Sequence, residues 1–271
     1  MPRVQIDTIT FDYCDAGNGV PVVFIPGITE FKEAFASQFR GLEDSYLVIS
    51  YDVRRGLKRA TDYTLELLAN DLHKLLEALK LDSAVICGHS FGGLIAMQFA
   101  LEHPEQTSAL VLVSSFPAAP QVSHERLLSA ISSTGHPFHK SLGTSFKAHM
   151  TRLLGRKTSG AQAMQAEVAA IRTVARPAAK TSRTTISQRM RIIDRADLRS
   201  ALSEISAPTL VAVGARDRPF FLSSAQQLYE RIPDASLEVI EGAGHFCHLA
   251  RHDQFNAVVD EFLTEHLAEI S

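Results

Sequence analysis

Apolar residues alternate along this chain between two patterns. Short, nearly continuous runs rich in Val, Ile and Leu occupy 22–25, 46–51, 84–87 and 109–113, while the stretches 31–42, 64–79 and 91–101 between them carry apolar residues at helical spacing. The clearest is 64–79, where Leu68, Leu72, Leu75, Leu76 and Leu79 form one stripe and Glu66, Asp71, Lys74 and Glu77 lie off it. Such a stripe predicts an amphipathic helix, and a short unbroken apolar run predicts a strand buried on both faces. Strands and helices alternating in this way predict a mostly parallel sheet with helices on both sides.

From 118 to 204 the rhythm stops. The segment is rich in Ala, Ser, Thr, Arg and His and offers helix candidates at 126–131 and 162–174, with no convincing buried strand. Strand and helix patterns resume at 209–213, 223–232, 237–240 and 255–266. The expected organisation is therefore one core domain, 1–117 and 205–271, carrying a helical lid, 118–204, inserted after its sixth strand. No unit of 20 to 50 residues repeats, which argues against a solenoid or propeller.

Composition narrows the class. With 271 residues, 45% of them hydrophobic and 21% charged, the chain can bury a full core. The cysteines Cys14, Cys87 and Cys247 are odd in number and form no CxxC pair, so neither a disulfide framework nor a structural zinc site is expected. No apolar run approaches the ~18 residues of a membrane span, and the opening residues lack a basic-then-apolar leader pattern. A cytoplasmic location is expected, with no membrane segment. The net charge of -3 gives no reason to expect nucleic acid, but the charge is uneven. Segment 118–204 holds 14 Lys and Arg against 5 Asp and Glu; the remainder holds 13 against 25. Two readings stay open: a solvated basic face that pairs with an acidic core, or a surface that attracts an anionic substrate, membrane or partner.

The chemistry is concentrated at the ends of strands. The run 84–87 leads into Gly88-His89-Ser90-Phe91-Gly92, then Gly93 and an apolar helix pattern. Strand, sharp GxSxG turn and helix is the setting in which a serine hydroxyl is held clear of the sheet. Glycines there avoid Cβ clashes, and the helix start favours negative charge. Asp217 follows the strand at 209–213 and His245 follows the strand at 237–240, both at carboxyl ends where open α/β sheets bind ligands. Ser90 needs a base to become nucleophilic, and His245 oriented by Asp217 supplies one.

These features resemble the α/β-hydrolase superfamily, in its lid-bearing GHSxGG type, over nearly the whole chain. The order Ser90, Asp217, His245 is that of its catalytic triad. The phrases Val22-Val23-Phe24-Ile25-Pro26-Gly27, Asp52-Val53-Arg54, Ala207-Pro208-Thr209-Leu210 and Ile232-Pro233-Asp234-Ala235 match it as well. The resemblance implies an eight-stranded, mostly parallel sheet and an oxyanion hole made by the backbone N–H groups of Ile28 and Phe91. It also implies an apolar pocket lined near the triad by Ile28, Phe91, Phe116 and Phe246. Pro26 stands where relatives commonly have His, Arg55-Gly56-Leu57-Lys58 replaces the usual small residues, and Ala250 and His252 replace a common Glu and Pro.

The expected activity is hydrolysis of a small or medium carboxylic ester or related acyl compound, of the carboxylesterase type (EC 3.1.1), through an acyl-enzyme and without a cofactor or metal. C–C bond hydrolysis, lactone opening, perhydrolysis and lyase chemistry use nearly the same triad, and a sensor that keeps a vestigial triad is the alternative of another class. Absence of Trp speaks against the indole halide site of dehalogenases. Blander roles are a cap for Asp217, packing for Cys87 and for His89, and a turn for Gly17-Asn18-Gly19. The group His245, Cys247 and His248 lacks the further ligands of a closed metal site. Oligomeric state is not readable from the chain.

Overall fold

The computed structural model describes residues 2–7, 9–119 and 181–267. Strands β1 (Arg3–Ile6) and β2 (Ile9–Ala16) form an antiparallel hairpin at one edge of the sheet. Then come β3 (Val20–Ile25), α1 (Ala36–Leu42), β4 (Tyr46–Tyr51), α2 (Leu65–Leu79), β5 (Ala84–His89), α3 (Phe91–Glu102) and β6 (Thr107–Val113). After residue 180 the chain continues as α4 (Arg183–Arg195), β7 (Thr209–Gly214), α5 (Pro219–Arg231), β8 (Ala235–Ile240), α6 (Cys247–Ala250) and α7 (His252–Leu267). The eight strands form one sheet in the order β1-β2-β4-β3-β5-β6-β7-β8. β2 meets β4 antiparallel, and every pairing from β4 through β3 to β8 is parallel.

Alternate residues of the inner strands face opposite layers. Val23, Ile25 and Ile86 join the layer packed by α2, α3, α4 and α5, while Val22, Phe24, Val85 and Cys87 join the layer packed by α1, α6 and α7. Both faces are dry, which is why these strands read as unbroken apolar runs. The Cys87 thiol is fully buried and burial pushes its pKa up, so it packs as a small apolar group.

Local chemistry sets the element ends. Thr64 caps α2 by accepting a hydrogen bond from Leu67 N at 3.2 Å, and Lys80 ends the helix in the left-handed region. Asp71, off the leucine stripe, is nevertheless buried, because the Arg54 guanidinium meets its carboxylate through two nitrogens. The helix expected at 31–42 opens with a 3₁₀ turn at Lys32–Phe35 before α1.

The helix candidates at 126–131 and 162–174 lie outside the described residues. From the stretch read as a lid, residues 181–204 are described. There α4 buries Ile186, Met190, Ile192 and Ile193 in the larger apolar layer. Among the described residues, no helix is long and apolar enough to cross a membrane.

Candidate active site

Ser90 stands between β5 and α3 with φ 54° and ψ −114°, a region that L residues avoid. Its surroundings enforce that conformation. Ser90 N donates to Val113 O at 2.9 Å, and Ser90 O accepts from Gly93 N at 3.0 Å and from Ser115 Oγ at 2.9 Å. There is no room for side chains at the flanking glycines. A Cβ on Gly88 would lie 2.4 Å from Gly92 O, and one on Gly92 would lie 2.2 Å from Ile25 O. The tight turn thus lays the start of α3 directly on the end of β3.

Asp217 and His245 reach the same point from neighbouring strands. Asp217 sits in the turn after β7, where its N–H donates to Gly214 O at 2.9 Å and its Oδ1 accepts from Arg218 N at 2.8 Å. The second oxygen, Oδ2, lies 3.1 Å from His245 Nδ1, and His245 Nε2 lies 3.1 Å from Ser90 Oγ. A carboxylate accepts only, so the Nδ1 proton points at Asp217 and Nε2 faces Ser90 Oγ as a hydrogen-bond acceptor. All three residues are buried, and the Phe221 ring lies 4.2 Å from the imidazole. The carboxylate therefore serves two bonds at once, one to the histidine and one to the Arg218 N–H just before α5, with no side-chain cap on the helix itself.

Beside Ser90 and His245 the loop after β3 closes on itself. Glu30 N donates to Gly27 O at 3.2 Å, and Gly27 N donates to Glu30 Oε2 at 2.7 Å. The same Oε2 accepts from His89 Nδ1 at 2.9 Å, and His89 Nε2 donates to His245 O at 2.9 Å. Burial would raise the Glu30 pKa, but the His89 charge and hydrogen bond outweigh it and bring the group down to about 2. For His89, burial works against protonation and the Glu30 carboxylate prevails, raising its pKa. A buried ion pair thus lies directly behind the serine.

His248 packs against His89 at a tilt, 4.4 Å between centroids, and both its ring nitrogens are buried without a hydrogen bond. Burial, then the His89 charge, hold it well below the usual histidine range, so it stays neutral. Glu30, His89 and His248 bring three potential ligand atoms within 4.8 Å of one another, the one such grouping among the described residues. His248 therefore faces Glu30 and His89 rather than joining His245 and Cys247 in a ligand set.

Ile28 and Phe91, expected as oxyanion donors, lie on the β3 loop and at the first residue of α3, and both are buried. Neither backbone N–H makes a hydrogen bond among the described residues. Phe116 packs on Phe220 and Phe221, with centroids 5.4 and 5.9 Å away, on the Phe221 side of His245. Phe246 lies 5.5 Å from the rings of both His89 and His245, and packs into the layer of α1, α6 and α7.

Ser90 thus stands after β5, and Asp217 and His245 after β7 and β8, in a chain that has relatives among known sequences. The sequence profile of the alpha/beta hydrolase fold matches residues 20–251. The chain belongs to the alpha/beta hydrolase family. Within reach of this family member, "Putative carbamate hydrolase RutD" from Caulobacter sp. (strain K31) is 28% identical over 250 residues, covering 90% of each chain. The solved enol-lactonase from Burkholderia xenovorans LB400 superposes with a TM-score of 0.78 at 24% identity, over 97% of this hydrolase-family chain and 100% of that one. Est816, described as an N-acyl homoserine lactone degrading enzyme, gives a TM-score of 0.70 at 27% identity, with coverage of 96% and 100%.

Two residues near the site were not singled out by the sequence. Glu30 is one acid among 30 until the loop folds back on Gly27, and Arg189 is one of many basic residues in a segment without a motif. His89 carried only a packing reading, and it is the hydrogen-bonded bridge between Glu30 and the backbone of His245.

Proposed function

We propose that the protein is a serine hydrolase that cleaves a small or medium carboxylic ester or related acyl compound through an acyl-enzyme on Ser90. One observation carries the reading: His245 lies 3.1 Å from Ser90 Oγ on one nitrogen and 3.1 Å from Asp217 Oδ2 on the other, in a buried setting.

Ser90 Oγ attacks the carbonyl carbon of the substrate as its proton passes to His245 Nε2. The resulting oxyanion is held by the Ile28 and Phe91 N–H groups, and the imidazolium is stabilised by Asp217. Collapse breaks the bond to the leaving group, which departs with the proton from His245. Water, deprotonated by the same nitrogen, then attacks the acyl-enzyme; a free acid leaves and Ser90 regains its proton. Phe116 and Phe221 supply an apolar wall on one side of the imidazole.

The similarity to Est816 makes cyclic esters the acyl class to compare first with open-chain ones. A panel of p-nitrophenyl esters of rising acyl length beside γ-lactones of rising side-chain length tests the proposal. Turnover of at least one class, abolished in Ser90→Ala, is expected; a folded wild type inert toward the whole panel and toward a fluorophosphonate contradicts it.

A further inference from the structure

Besides its apolar residues, helix α4 meets the core through three polar side chains spaced as neighbours on a helix: Thr185, Gln188 and Arg189. Each is buried, and each binds backbone rather than another side chain's charge. Thr185 Oγ1 accepts from Gly56 N at 3.0 Å. Gln188 accepts from Leu57 N at 2.8 Å and donates to Leu57 O at 2.7 Å. These contacts hold the loop after β4. Arg189 does something different. Its Nη1 donates to Ile28 O at 2.7 Å, its Nη2 donates to Val53 O at 2.9 Å and to Arg54 O at 3.3 Å, and its Nε lies 3.3 Å from Tyr63 Oη. The guanidinium carbon is also 5.8 Å from the centre of the Phe91 ring.

One cation therefore touches both residues whose N–H groups are assigned to the oxyanion. Among the described residues it has no carboxylate partner; three carbonyl oxygens and the Tyr63 hydroxyl receive its protons. Burying a cation on such terms is a poor route to stability, since a well-packed apolar side chain of similar volume commonly does as well or better. It is a good route to fixing a loop, because a planar fork holds two carbonyls at set positions. Elsewhere in the loop, Gly27 and Glu30 bond each other and the Glu30 side chain bonds His89, but neither contact reaches the Ile28 peptide oxygen. The Ile28 carbonyl is gripped from outside by Arg189 alone among the described residues.

We propose that Arg189 is a positioning residue for the reaction: by holding Ile28 O and lying against Phe91, it sets the backbone of the β3 loop so that the Ile28 N–H meets the oxyanion. The inference rests on the acyl-transfer reading of Ser90. It assigns to one arginine of the basic segment a role in rate rather than in attracting anions.

The test compares wild type, Arg189→Gln, Arg189→Lys and Gln188→Ala on the best ester or lactone of the panel, with thermal melting of each. Binding of a trifluoromethyl ketone, which forms a tetrahedral adduct on the serine, is measured alongside. In Arg189→Gln we expect kcat to fall about 10- to 100-fold with KM within about threefold, and affinity for the ketone to fall by a similar factor. Gln188→Ala, which loosens α4 without touching Ile28, lowers the melting temperature while kcat stays within about threefold.

A folded Arg189→Gln with kcat within about twofold of wild type overturns the proposal. So does a Gln188→Ala variant that loses as much kcat as Arg189→Gln, since that marks general loosening of the helix. Should Arg189→Gln not fold, Arg189→Lys decides: it keeps the charge but lacks the fork, so kcat falls at least about fivefold if positioning is at issue, and wild-type kcat overturns it. A wild type that neither turns over the panel nor reacts with a fluorophosphonate removes the hydrolase reading and this inference with it. Full wild-type activity beside an unaffected Arg189→Gln removes the inference alone.

Discussion

Glu30 Oε2 lies 2.9 Å from His89 Nδ1, with both side chains almost completely buried, one residue away from Ser90. The pair connects the β3 loop to the histidine turn, because the second nitrogen of His89 holds the carbonyl of His245. One imidazole joins the buried carboxylate, the β3 loop and the backbone of His245.

The first prediction concerns that pair. His89 has a raised pKa, so its contribution to stability is complete below about 6.5 and is lost as pH rises through its folded value. Glu30, lowered to about 2, contributes above its unfolded value near 4 and loses that contribution as pH falls toward 2. Glu30→Gln is therefore expected to destabilise the protein by about 3 kcal/mol at pH 6 and by clearly less at pH 9. Urea unfolding at the two pH values checks this; an equal loss at both would mean the pair is not ionised.

His248 gives the opposite pH dependence. Its buried, unpartnered ring stays neutral in the fold, whereas the unfolded chain takes up a proton below about 6.5, so it destabilises the protein as pH falls. His248→Leu removes two unsatisfied nitrogens and is expected to stabilise by about 1–2 kcal/mol at pH 8 and by more at pH 5. Thermal melts at both pH values test it, and a gain that shrinks on acidification would contradict the account.

The third prediction concerns the elbow. A methyl on Gly92 would sit 2.2 Å from Ile25 O, a backbone atom of a central strand that cannot easily move. Gly92→Ala should lose about 3 kcal/mol, roughly 10 °C in melting temperature, along with activity. Near-wild-type melting would show that the turn has slack the structure does not suggest.

Asp217→Asn keeps the side-chain shape and an oxygen for Arg218 N but presents an amide to His245 Nδ1, which favours the wrong tautomer. Turnover is expected to fall by about 10³- to 10⁴-fold with little change in melting temperature. Retained activity would place the orienting acid elsewhere.

What the sequence conveyed depended on how local each signal is. The leucine stripe of α2 and the Thr64 cap are written within sixteen consecutive residues, and the inner strands β3 to β7 are largely apolar runs because both sheet faces are covered there. The hairpin β1–β2 has no such run. It is a half-exposed edge in which residues such as Asp12 and Tyr13 alternate with the buried Phe11. Asp71 reads as a solvent-facing acid because its partner, Arg54, lies on a different loop. Ser90 and His245 announce themselves through glycine-rich turns at strand ends. Glu30 and Arg189 do not, since their partners lie 59 and 161 positions away, at His89 and Ile28.

The central claim is that Ser90 is the nucleophile, and intact-protein mass spectrometry after treatment with a fluorophosphonate tests it most directly. The account predicts a single adduct on wild type that maps to Ser90, slower labelling in Asp217→Asn, and none in Ser90→Ala. An unlabelled, folded wild type, or a label that persists in Ser90→Ala, would contradict it.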